Sequence, residues 1–168
     1  MVNIEKMLVQ PGQKVDLKDY DPKYTNKYKE AENDLKKSLA LKPENIYTLN
    51  NMGYCYILTK QFKEAVHYLD KALLINPLFA PAYNNRGLAH IKMEKSVEGL
   101  NDINKAKELD EADPYVYRNL GIYYMDIGNY TQALFFFRKA AELDPGIHLL
   151  SGLMKESECR MVDNAMKA

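Results

Sequence analysis

Apolar residues return at three- and four-residue steps along most of this chain, which is the spacing of a helix with one buried face. Between residues 24 and 41 the stripe is Tyr28, Ala31, Leu35 and Leu39, and Pro43 stops it. Residues 46–59 carry Leu49, Met52 and Tyr56 on one face, and 62–75 carry Ala65, Leu69 and Ala72. The pattern comes back with Tyr83, Ile103 and Ala106. It comes back again, most clearly, with Tyr117, Leu120, Tyr124, Ala133, Phe137 and Ala140. Asn76-Pro77 and Asp144-Pro145 are stop signals, while Asp113-Pro114 offers a cap and a first-turn proline for the next helix. The pattern therefore predicts helices in pairs, each pair joined by a short turn.

The pairs are copies of one unit. Gly53, Gly87 and Gly121 stand 34 residues apart, and a period of that length predicts stacked helical hairpins. Three full units follow, at 46–79, 80–113 and 114–147. Ala31, Leu35 and Pro43 each precede Ala65, Leu69 and Pro77 by 34 residues, so the helix before residue 46 is a half-unit. Glycine inside a helix costs about 1 kcal/mol relative to alanine. Keeping it at one place three times predicts a close approach between the two helices of each unit.

The flanks differ from the units. Residues 1–26 contain Pro11-Gly12 and Asp21-Pro22, which oppose regular helix, and Val15 and Leu17 alternate with polar neighbours. An extended arm is expected there. At the other end, residues 148–168 carry Leu149, Leu150, Leu153, Met154 and Met161 in a stripe, with the remainder polar. A repeat stack needs an end helix with one wet face, so a capping helix is expected.

Leu49/Met52/Gly53/Tyr56/Ala65/Leu69/Ala72/Pro77 and Tyr117/Leu120/Gly121/Tyr124/Ala133/Phe137/Ala140/Pro145 resemble the tetratricopeptide repeat family. The middle unit departs from it. Arg86 stands where an apolar residue is usual, Gly99 replaces a small alanine, and Glu111 replaces the proline, which puts the rigidity of its second helix in doubt. The resemblance implies an all-α, right-handed solenoid of stacked hairpins. It also implies that the first helix of each pair lines a concave groove that takes a protein or peptide partner. Asn51, Asn85 and Asn119 then form a row of amides at the 34-residue interval. Each can pair with the backbone of an extended peptide, or can bond the neighbouring helix and hold the stack. Beside them lie Tyr47, Asn50 and Tyr54, then Asn84, Leu88 and Lys92, then Tyr115, Arg118 and Ile122. Tyrosine and arginine are common anchors at interfaces. Tyr115 and Asn119 stand where the family's carboxylate clamp needs basic residues, and Arg118 is one place off, so a typical clamp is not expected.

Composition narrows the function. Lysine plus arginine, at 23, balances aspartate plus glutamate, at 23, which argues against nucleic acid or an anionic membrane as partner. No stretch is apolar enough to span a membrane, and Cys55 and Cys159 read as reduced thiols in a cytoplasmic protein. His67, His90 and His148 are single, no metal-ligand spacing is present, and no cofactor or catalytic motif is expected. The stretch VQPGQKVDLKDYDPKYT is similar to the lead-in of one class of polyphosphate kinases, although no phosphate-binding loop follows. The expected function is non-catalytic binding of an extended or helical segment in the groove. A self-associating scaffold, or an accessory of a nucleotide or polyphosphate enzyme, are the alternatives.

Overall fold

The computed structural model describes residues 25–147 and 150–167 of the 168-residue chain. The arm expected at 1–26, with its kinase-like stretch, lies outside the described residues except for Thr25 and Asn26, which open the first helix. Among the described residues there are eight helices and no strand. They are α1 (Thr25–Leu41), α2 (Ile46–Leu58), α3 (Phe62–Ile75), α4 (Ala80–Lys92), α5 (Ser96–Leu109), α6 (Pro114–Asp126), α7 (Tyr130–Leu143) and α8 (Leu150–Lys167). The hairpins are α2/α3, α4/α5 and α6/α7, with α1 as the leading half-unit and α8 on the far end against α7 and α6.

Local chemistry sets these boundaries. Asn45 caps α2 by accepting from the N–H groups of Tyr47 and Thr48, and Asp113 caps α6 by accepting from Tyr115. Each hairpin turn has one residue with positive φ: Lys60 at 59°, Glu94 at 62° and Gly128 at 80°. The N–H groups of Gln61, Lys95 and Asn129 then reach back to the carbonyls of Tyr56, His90 and Tyr124, at 2.8, 2.9 and 2.8 Å. This closes the first helix of each unit with a Schellman motif. At the far end of each unit, Asn76, Asp110 and Asp144 accept from the N–H groups of Leu78, Ala112 and Gly146. That side-chain turn recurs at all three places, so Glu111 leaves the second turn closed without a proline.

The core runs through all units. Met52, Ala65, Leu69 and Ala72 are fully buried in the first, and Tyr117, Ala133, Phe137 and Ala140 in the third. The repeated glycines sit where the paired helix leaves no room: a Cβ on Gly53 would meet Leu69 Cγ at 2.5 Å. The middle unit does the same with backbone. A Cβ on Gly87 or on Gly99 would lie 2.8 Å from the other glycine's carbonyl oxygen. Gly99 therefore lets the two helices of this hairpin meet main chain to main chain.

Arg86 is accommodated as well. Its Nε and Nη2 donate to the two oxygens of Asp102 on α5, at 2.8 and 2.6 Å, and its Nη1 donates to Asp70 on α3 at 2.6 Å. The hydrogen bonds it donates to Asp102 make the guanidinium hold its proton more firmly than usual. One side chain thus ties three helices. Asp102 also lies 3.2 Å from Nδ1 of His90, off the direction of a hydrogen bond. In the outer units the same two places hold stacked rings, Tyr56 on Tyr68 at 5.4 Å and Tyr124 on Phe136 at 5.3 Å. The middle unit has exchanged an aromatic stack for a charged cluster.

Candidate functional site: the inner helical layer

Helices α2, α4, α6 and α8 touch one another in sequence, whereas no comparable packing joins α3, α5 and α7. A stack that is tight along one layer and spread along the other makes the tight layer the inner one. The inner layer is the face on which the sequence placed its twelve candidate residues.

Seven of the twelve reach the surface. Tyr47 is 53% exposed, with its ring edge-on to Phe79 at 5.4 Å. Asn50, Asn51 and Tyr54 are half-buried and continue the same stripe of α2, since 47, 50, 51 and 54 are one helical face. Asn85, Lys92 and Tyr115 are also half-buried. The Lys92 ammonium is already taken by Asp126 on α6, at 2.8 Å.

Five others are packed beneath that surface. Leu88 and Ile122 belong to the core, at 0% and 2% exposed. Asn84, Arg118 and Asn119 are buried polar groups. An inner helix touches its own partner and the inner helices on both sides, so more than one stripe of it is covered. Helical periodicity alone marks only the first stripe.

The buried amides link successive units. Asn85 Nδ2 donates to Asn50 Oδ1 at 2.9 Å, from α4 to α2. Asn119 Nδ2 donates to Asn84 Oδ1 at 2.9 Å, from α6 to α4. These are one contact repeated in the next unit. The Asn50/Asn85 pair is half-open, whereas the Asn84/Asn119 pair is closed to water, and Asn119 Oδ1 also accepts from Nε and Nη2 of Arg118. Bonding the neighbouring helix is thus what Asn85 and Asn119 do here, and Asn85 keeps a free carbonyl lone pair as well. The sequence did not mark Asn50 and Asn84 as the acceptors. The sign was there in the recurrence of asparagine at 50 and 84, one place before Asn51 and Asn85.

Other chemistry is sparse. Burial pushes the Cys55 thiol up to about 11, and Cys159 is exposed, with no disulfide between them. Desolvation, then the bond to Glu32, raises the Tyr56 phenol. Among the described residues no group of three His, Cys, Asp or Glu could hold a metal, and no helix is long and apolar enough to cross a membrane.

Comparison with known proteins agrees with this architecture. Residues 46–79 and 114–147 each match a tetratricopeptide repeat family model. No curated protein matches the sequence. Among solved structures, a thermophilic TPR protein of Thermus thermophilus superposes with a TM-score of 0.69 at 19% identity, over 80% of this chain and 74% of its own. The first TPR domain of human RPAP3 gives 0.65 at 17% identity, over 75% and 99%. The first TPR of Spaghetti (RPAP3), solved with the HSP90 peptide SRMEEVD, gives 0.60 at 18%, over 70% and 93%. At these identities the likeness is one of fold. The units at 46–79 and 114–147 match tetratricopeptide repeat models, and with the hairpin between them they build a helical-hairpin solenoid.

Proposed function

We propose that this protein is a non-catalytic interaction module that receives an extended peptide along the inner faces of α2, α4 and α6. The observation that carries the reading is the half-open Asn50/Asn85 pair, flanked on α2 by Tyr47, Asn51 and Tyr54. The pair uses one donor and one acceptor on each other. It keeps a carbonyl lone pair and an amide N–H for a peptide backbone, which offers the same two groups whatever its side chains. Tyr47 and Tyr54 supply apolar area with few rotors, the combination that anchors interfaces. The Spaghetti (RPAP3) structure, which holds the peptide SRMEEVD on the same fold, supports the general mode. Its peptide is not carried over, since Tyr115 and Asn119 stand where this chain would need clamp cations.

The test is selection from a displayed library of random dodecapeptides, followed by fluorescence anisotropy on the winners. Tyr47→Ala and Tyr54→Ala together are expected to weaken binding by about tenfold or more. Helix content should stay the same. Peptides that bind this variant as well as the parent, or a failure to select any, would refute the reading.

A further inference from the structure

The amide contacts between units have a direction, and the third unit breaks it. Asn50 and Asn84 each accept from the asparagine of the next unit. The residue 34 places after Asn84 is Arg118, which has donors only. The residue 34 places after Asn119 is Leu153, on α8, which has no polar side-chain group to answer it. With no acceptor ahead, the guanidinium folds back. Nε and Nη2 share the single Oδ1 of Asn119, at 3.3 and 3.2 Å, and the ring of Tyr115 lies 4.7 Å away. Arg118 is only 4% exposed, yet no carboxylate among the described residues pairs with it. Arg86, the arginine on α4 at a different place in the repeat, is less buried and has two carboxylates. A buried charge is ordinarily paired, so the missing group is an anion.

We propose that Arg118 anchors an aspartate or glutamate side chain of the peptide received by the inner layer; the inference rests on the groove reading above. The depth of the guanidinium selects a side-chain carboxylate over a chain terminus. A carboxylate on a methylene stem reaches a covered cation, whereas a terminus at that depth would bury its own peptide groups without partners. The other groove cation near this place, Lys92, is already held by Asp126, which leaves Arg118 to set the preference. The planar guanidinium suits a two-oxygen acceptor.

The experiment uses the full chain and library winners re-synthesised with an amidated C-terminus. An acidic residue is expected at one fixed place among them. Changing it to its amide should weaken binding about tenfold in the parent, and less than about twofold in Arg118→Gln. Arg118→Lys should keep part of the acid preference and serves if the Gln variant folds poorly. Winners without an acidic place, or an acid whose removal costs the same in parent and Arg118→Gln, overturn the assignment. So does binding that requires a free C-terminus, or a dimer that only Arg118→Gln dissolves, which would give the acid to a second copy. If winners show the acid preference but ignore Tyr47→Ala with Tyr54→Ala, the groove reading fails and the Arg118 pairing stands. If winners respond to those tyrosines without an acid preference, the reverse holds.

Discussion

A Cβ placed on Gly87 would lie 2.8 Å from the carbonyl oxygen of Gly99, and one on Gly99 would lie 2.8 Å from the carbonyl oxygen of Gly87. The two glycines face each other across α4 and α5, and the obstacle to any side chain is main chain, which cannot turn aside. Alanine is the family's usual residue at 99, and it is also the better helix former. Gly99→Ala is nevertheless expected to lower stability by about 1–3 kcal/mol, the size of an overpacked core change. Urea unfolding of the two proteins checks this. A rise in midpoint would show that the hairpin has slack.

The turn residues give the opposite expectation. Lys60 and Glu94 hold positive φ, where Gly128 stands in the third unit. Side chains are disfavoured there and glycine is not. Lys60→Gly and Glu94→Gly are each expected to stabilise by about 0.5–1 kcal/mol, the relief being reduced by the freer unfolded chain. Thermal melts of the singles and the double decide it, and the two effects should add, since the turns are far apart.

Asn119 and Asn85 separate scaffold from surface. Asn119→Ala removes a buried amide and leaves Asn84 and Arg118 short of partners, so a loss of about 1–3 kcal/mol is expected. Asn85→Ala opens a half-exposed bond that water can replace, and about 0.5–1 kcal/mol is expected. Equal losses would mean that the two pairs are equally closed.

Cys55 predicts a pH effect. Its folded value, about 11, exceeds the ordinary thiol value of 9.0 because burial penalises the thiolate. Above pH 9 the unfolded chain releases this proton and the folded chain does not, so stability falls as pH rises from about 9 to 11. Cys55→Ala should lack that part of the alkaline decline in denaturant titrations. At pH 8, iodoacetamide should modify Cys159 alone in the native protein and both thiols in denaturant.

What could be read from the sequence follows from what repeats. The bounds of α3, at Phe62 and Ile75, coincide with its apolar pattern, and the caps at Asp113, Asn76 and Asp144 stand where Asx-Pro pairs marked them. The positive φ at Lys60 and Glu94 was not legible, because only Gly128 carries the residue type that signals it. The burial of Asn84, Arg118 and Asn119 was hidden for another reason. It comes from contact between units, which a one-helix period does not encode. Likewise Arg86 read as a departure of the middle unit from the repeat pattern, and only the fold brings Asp70 and Asp102 to it.

The account depends on a peptide lying against the inner layer. The direct measurement is the amide and methyl chemical-shift footprint of a selected peptide on the isotope-labelled protein. The account predicts the largest shifts at Tyr47, Asn50, Asn51, Tyr54, Asn85 and Tyr115, with α3 and α5 nearly silent on their outer sides. Shifts gathered instead around Leu74 and Phe135, which are exposed on the second helices, and Leu78 in the turn after α3, would contradict it.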